Sequence, residues 1–319
     1  MSKTFQMITI LAALALMSWG CAARVATEPA ALETAALETA VVEVDAALTI
    51  VPGGGGNSAI FVGEQEVVVV DTKWGRGAKR LRSLVEARAD GRPVTVIITH
   101  DHLDHVGGNK LYPGARVLTG SSAPGDGEAQ GGQEPYAGQE PVGRESYAGG
   151  EPYPAKAVAD SLVLDMGNEE VLLINTGRGH SPNDLVVYFR QRKVLLTGDL
   201  VFTDRHPVLM AFGGQAHTGD WQATLEGLLA RFPEDVTVVP GHGPVGDMAV
   251  VAGMRDYFAG VRSALGNRQA LRELRKKYKG LRSVPGVASL GHTARVMRKE
   301  GGGGRGGREE TGSVKMIDD

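Results

Sequence analysis

The sequence predicts a layered α/β domain, and three observations carry that prediction. Short apolar, β-branched runs recur along the chain. A segment with helical spacing interrupts them. Five of the eight histidines follow such runs closely, each near a glycine, which is where layered α/β proteins gather functional groups at one edge of a rigid sheet.

The elements come in this order. The folded part begins near residues 43–51. Residues 59–62 and 66–70 read as strands, with the glycine run Gly53 to Gly56 before them and Gly63 between. Residues 78–89 follow as a helix, since Leu81, Leu84 and Val85 repeat at helical spacing. Residues 94–98 form a nearly continuous apolar run of buried-strand length. Residues 161–164, 171–174, 185–189, 194–196 and 236–239 are further strands. Trp221, Leu225, Leu228 and Leu229 share one helical face, and Val250, Val251, Met254, Tyr257, Phe258 and Val261 form a second apolar stripe. Both stripes read as core. The basic run 275–279 reads as a solvated helix face.

The flanks differ in character. Lys3, an apolar run over 7–17, and small residues up to Cys21 make residues 1–20 a secretory signal peptide, too short in its apolar part to anchor in a bilayer. The junction resembles a bacterial lipobox. That implies an exported, periplasmic or outer-membrane lipoprotein, held to the membrane through a lipidated Cys21. A plain secretory leader cut after Ala22 or Ala23 is the alternative. Residues 21–42 then form an alanine-rich tether, in which Ala-Leu-Glu-Thr-Ala occurs twice. The main domain spans 43–265. It carries a low-complexity insertion over 120–154, rich in Gly, Gln, Glu and Pro, that reads as a solvated loop. A helical extension over 266–300 and a Gly-rich, charged tail over 301–319 follow. With Cys21 the lone cysteine, neither an intrachain disulfide nor a thiolate metal cluster can form. The net charge of -3 gives no basic excess with which to bind nucleic acid.

The chemistry concentrates in Thr99-His100-Asp101-His102-Leu103-Asp104-His105, directly after the 94–98 run. Neutral imidazole is the commonest side-chain metal ligand and suits zinc. In extended backbone His100 and His102 project to the same side. Asp104 and His105 follow around a turn, with Gly107 and Gly108 beyond. One short loop can therefore offer two ligands to one metal and two to a second. His180, Asp199 and His242 each stand just past a strand with a glycine beside them. His206, His217 and His292 lie outside this pattern and read as core or surface histidines. Asp71 closes the 66–70 run and reads either as a plain strand-end cap or, by resemblance to proteins with an acidic residue there near their metals, as a carboxylate that orients a ligand histidine. Asn183 and Asp184 either hydrogen-bond near the site or start the next strand.

At these residues the sequence resembles the metallo-β-lactamase superfamily. The family's His-x-His-x-Asp-His motif is matched by His100, His102, Asp104 and His105. Its later histidine, bridging aspartate and final histidine are matched in order by His180, Asp199 and His242. The resemblance covers about residues 46–246, apart from the insertion. It implies an αββα four-layer sandwich with metals at one sheet edge. His100, His102 and His180 would ligate one cation and Asp104, His105 and His242 a second, with Asp199 bridging. It implies two zinc ions per chain, iron or manganese being the alternatives, and a small-molecule substrate. Asp104 and Asp199 would orient the attacking water as catalytic residues. Zinc β-lactamases commonly carry cysteine where Asp199 stands and often lack His105. The bridging aspartate is instead typical of glyoxalase II-like thioesterases, lactonases and phosphoesterases. The sequence therefore leads us to expect hydrolysis of an ester, thioester or lactone carbonyl, with β-lactam hydrolysis as the runner-up. From other classes stand a mononuclear iron oxygenase like the persulfide dioxygenases, and a non-catalytic surface protein that binds a partner through its inserted loop. The sequence is silent on oligomeric state.

Overall fold

The structure is a computed structural model that describes residues 40–121, 155–210 and 216–302. The expected signal peptide over 1–20, nearly all of the expected tether, and most of the insertion and tail read from the sequence lie outside the described residues.

Twelve strands form two sheets. The first has the order β1 to β7: Val42–Glu43, Leu48–Val51, Ser58–Val62, Val67–Val70, Val94–Ile98, Arg116–Gly120 and Lys156–Val158. Its first four strands pair antiparallel and the rest parallel. The second contains β8 (Ser161–Asp165), β9 (Glu170–Gly177), β10 (Asp184–Phe189), β11 (Val194–Phe202) and β12 (Thr237–His242). There β8 to β11 are antiparallel, and β12 runs parallel to β11. Among the helices, α1 is Gly75–Ala89 and α2 is the four-residue Leu103–Val106. Next come α3 (Thr218–Arg231), α4 (Met248–Ser263), α5 (Arg268–Lys277) and α6 (Leu290–Gly302).

Strand alternation explains the layering. The four valines of β4 are all buried. Val68 and Val70 face the core between the sheets, where Phe61, Leu185, Val187 and Phe189 also lie. Val67 and Val69 face the other way, onto Leu81 and Val85 of α1. A third core lies outside the second sheet, where Trp221 and Leu225 of α3 and Tyr257 and Phe258 of α4 pack against Val186 and Leu195. Three apolar layers separate four structural ones: helix, sheet, sheet, helix. Each fully buried Val, Leu or Phe contributes about 1.5–3 kcal/mol of apolar burial. An exposed pair such as Arg82–Glu86 contributes at most about 1 kcal/mol. The layers therefore hold the fold.

Strands lie where the sequence places them, but β6 and β7 were not foreseen, and β9, β11 and β12 run on beyond their expected ends to Gly177, Phe202 and His242. The 194–196 run extends into the nine-residue β11, buried throughout. Asp199 accordingly lies inside that strand rather than past its end. Gly198, with φ of 52°, breaks the register, and pairing resumes at Phe202 opposite His242. The last helix is part of the fold: Leu290, Ala294 and Met297 are buried in the same core as α3 and α4. Helix α5 has no buried residue, in keeping with a solvated basic face.

Candidate metal centre

The seven residues named by the sequence meet at one edge of the sandwich. His100 follows β5 by two residues, and the chain then turns into α2, which carries Asp104 and His105. His102 is the N-cap of that helix, in extended backbone. His180 lies in the turn between β9 and β10, Asp199 in β11, and His242 at the end of β12.

Two donor groups result. His102 Nδ1 is 3.1 Å from His100 Nε2 and 2.9 Å from His180 Nε2. Oδ2 of Asp199 is 3.3 Å from His180 Nε2 and 3.8 Å from His100 Nε2. On the other side, Oδ2 of Asp104 is 3.1 Å from His242 Nε2 and 3.8 Å from His105 Nε2. Oδ1 of Asp199 completes this second group, 3.3 Å from His105 Nε2 and 3.4 Å from His242 Nε2. One carboxylate thus turns one oxygen to each group.

These residues fit a pair of cations. Zinc–ligand bonds of about 2.0–2.1 Å in a tetrahedron put neighbouring ligand atoms about 3.3–3.4 Å apart, close to the separations here. His105 Nε2 and Asp199 Oδ1 are buried without a hydrogen-bond partner although they face each other. A cation between them would satisfy both. Charge agrees. Burial, aided by the neighbouring imidazoles, holds His100 well below the usual histidine range, and burial pulls His180 down to about 3. Both rings are therefore neutral, with lone pairs free for a metal. Burial alone would raise Asp199, but His242, His105 and His180 drive it well below the carboxylate range. Asp104 is lowered against its burial by His105 and His242. Burial opposes protonation of His105 and His242, yet the facing carboxylates raise both, Asp199 foremost.

Supporting residues fix the ligands. Asp71 Oδ1 accepts the Thr99 N–H at 2.8 Å. Its Oδ2 accepts the Thr99 hydroxyl at 2.8 Å and pairs with His105 Nδ1 at 2.7 Å. That orients His105 so that Nε2 faces the centre, the role the sequence suggested for Asp71. These bonds hold Asp71 at a positive φ of 57°. Asp184 starts β10 and takes the Ser181 N–H on its carboxylate at 3.1 Å, closing the turn that bears His180. Burial pushes Asp184 up to about 7. Asn183 donates to the Gly120 carbonyl. Two glycines are required by close approach: a Cβ at Gly56 would lie 2.2 Å from the His105 ring, and one at Gly241 would lie 2.0 Å from Asp199 Oδ1.

The remaining histidines stand apart, as expected. His206 is bound to the Tyr257 hydroxyl at 2.9 Å, His292 to the Leu209 carbonyl at 2.9 Å, and His217 caps α3. Sequence reasoning missed Asn57, Lys73, Phe202 and the contact between Trp221 and His180. Asn57 donates to the carbonyls of Pro240 and Gly243, tying the glycine loop to the end of β12. The Phe202 ring stacks on His242, and the Trp221 ring meets His180 at 5.2 Å. Only the apolar stripe pointed to Trp221, and it read as core.

Residues 51–242 match the family model described as metallo-beta-lactamase superfamily. The chain belongs to that superfamily. Among curated relatives, it is 29% identical over 202 residues to a metallo-beta-lactamase type 2 of Bacillus cereus, covering 61% of this chain and 70% of the relative. Among solved structures, a metallo-beta-lactamase from Pontibacter korlensis superposes with a TM-score of 0.54 at 22% identity, over 69% of this chain and 98% of that one. A variant of the sec-alkyl sulfatase PisA1 gives 0.57 at 18% identity, over 82% of this chain and 50% of that one. The structural likenesses establish the fold, and the superfamily member seen here has the αββα layering that the motif implied.

Proposed function

We propose that this protein is a di-zinc hydrolase acting on an ester, thioester or lactone carbonyl of a small molecule. One observation carries the reading: the Asp199 carboxylate turns one oxygen to each of two ligand groups, and each group has three further side chains to complete it. His100, His102 and His180 would hold one cation, and Asp104, His105 and His242 the other. When bound, such a pair supplies an activated water at neutral pH and an electrophile for the carbonyl oxygen. Asp104 and Asp199, kept anionic by the surrounding histidines, accept hydrogen bonds from that water and aim its lone pair. Substrate enters through an open cleft of about 970 Å³ that reaches Asp104 and His242. Trp74 and Leu103, both exposed, offer apolar surface there, and Arg76 and Arg282 add positive charge. The pattern of residues 1–21 supports an exported enzyme tethered through Cys21.

β-Lactam hydrolysis is the second reading, favoured by the identity to the Bacillus cereus metallo-beta-lactamase. The test is metal content of the leader-free protein by elemental analysis, with thioester, lactone and β-lactam substrates on the same sample. Close to two zinc per chain and turnover of a thioester or lactone is the expected result. Turnover confined to β-lactams moves the protein to the second reading. One iron per chain with oxygen uptake and no hydrolysis overturns both.

A further inference from the structure

The protein buries one ammonium that hydrolysis does not call on. Lys73 is 1% exposed. Its Nζ donates to the carbonyls of Val51 at 2.8 Å, Gly53 at 2.7 Å and Gly56 at 2.5 Å. An ammonium carries three N–H groups and no acceptor, so three converging carbonyls satisfy it completely. The converse matters as much. The loop between β2 and β3 has positive φ at Gly53, Gly54 and Gly55. Its Gly53 and Gly56 carbonyls and the Val51 carbonyl at the end of β2 turn toward Lys73, those of Val51 and Gly56 buried and that of Gly53 half-buried. A neutral side chain would leave them without a donor. Burial pulls Lys73 down to about 7, and the nearby carboxylates of Asp71 and Asp104 offset only part of that cost, so the three carbonyls are what hold the charged form in place.

The held loop touches the outer ligand group directly. Gly56 N–H donates to the Asp104 carbonyl at 3.1 Å. The Gly56 backbone lies against His105, and that of Gly55 against the Asp104 carbonyl, so tightly that neither has room for a Cβ. Lys73 also grips the far side of α2, since its own carbonyl accepts the Gly108 N–H at 2.8 Å. One residue therefore spans from the loop to the helix that bears Asp104 and His105.

We propose that Lys73 is a positioning residue of the outer ligand group, its ammonium pinning the 51–56 loop against His105 and Asp104 so that this group holds its cation tightly. The proposal rests on reading Asp104, His105 and His242 as ligands, but its effect on the loop is measurable without metal.

The test compares wild type shortened past Cys21, so that no other thiol is present, with Lys73→Met and with Lys73→Cys alkylated before refolding, all in the same shortened chain. Alkylation with 2-bromoethylamine restores an ammonium, and alkylation with iodoacetamide leaves a neutral amide. Zinc is titrated against a competing chelator, and amide hydrogen exchange is followed over residues 53–57. In Lys73→Met the weaker zinc equivalent is expected to loosen by about 10–100-fold, as for other partners that orient ligands. The tighter equivalent should hold within about threefold, and the loop amides should exchange faster. The aminoethyl form should recover both readouts and the amide form neither. Unchanged zinc binding and unchanged loop protection in Lys73→Met overturn the proposal. So does equal weakening of both zinc equivalents with protection lost across the whole fold, which marks an ordinary core residue. Should Lys73→Met not fold, the wild type decides: slowly exchanging Lys73 ammonium protons in a ¹H–¹⁵N spectrum support the clasp, and exchange as fast as that of surface lysines overturns it. A wild type that binds one zinc yet loses loop protection on Lys73→Met would sink the di-zinc reading and leave the clasp standing.

Discussion

The two halves of the candidate centre are built differently. The inner group, His100, His102 and His180, is buried. Its rings lie edge to edge, and Trp221 and Phe202 back the ring of His180. The outer group sits at the mouth of the cleft. Its Asp104 side chain is 33% exposed and stands on a helix of four residues. Core packing holds the inner group, whereas the outer one depends on specific polar partners: Asp71 on His105, the glycine loop on Asp104, and Asn57 near His242. The contrast teaches that the inner ligand group leans more on packing and the outer one more on hydrogen bonds, although Asp184 also braces the His180 turn and Phe202 stacks on His242.

Asp199 joins the halves, so its loss should erase the contrast. Asp199→Ala is expected to lose both zinc equivalents and measurable turnover. In the metal-free protein the variant should also be less stable in urea melts, because His105 and His242 lose one facing carboxylate and keep only Asp71 and Asp104. Asp104→Ala should separate the halves: turnover falls by about 10²–10⁴-fold, the scale of a lost proton acceptor, while the inner zinc and the fold remain. Near-normal turnover in that variant would remove Asp104 from the mechanism. Stripping zinc with a chelator should lower stability by about 3–4 kcal/mol for each zinc lost, relative to protein held at 100–1,000 times that site's dissociation constant. A two-step loss, outer equivalent first, would sharpen the comparison, and simultaneous loss would break it.

Asp71→Asn keeps the shape but weakens the hold on His105. It should loosen the outer zinc about 10–100-fold and leave the inner one alone. The smallest effect belongs to a histidine outside the centre. His217→Ala removes the cap that accepts the Asp220 N–H and should cost about 0.5–2 kcal/mol in thermal or urea unfolding. Zinc content should not change, and a fall in zinc content would mean that His217 reaches the centre after all.

Much of this was legible without coordinates. Residues 94–98 are apolar apart from Thr95 because β5 is buried on both faces, and the valines of β4 alternate between two cores for the same reason. The spacing within His100 to His105 reports a local fact, that an extended segment runs into a tight helical turn, and local facts survive in sequence. Asp71 was within reach because it closes a strand next to the motif. Asn57 and Lys73 were not. Asn57 bonds to carbonyls more than 180 residues away. Lys73 looks like any solvated lysine until the glycine loop is seen to turn three carbonyls toward it.

The residues alone, then, gave most of the strands, though not β6 or β7, with the apolar helix stripes that cover them, the superfamily resemblance and the seven side chains that converge. Periodicity and motif spacing are properties of neighbours along the chain. Tertiary structure alone decided that Asp199 lies inside a strand with an oxygen for each ligand group, and that Lys73 is buried against the carbonyls of Val51, Gly53 and Gly56 beside the outer group. Those are matters of distance between segments remote in sequence, and burial and charge acquire their values only when the segments meet.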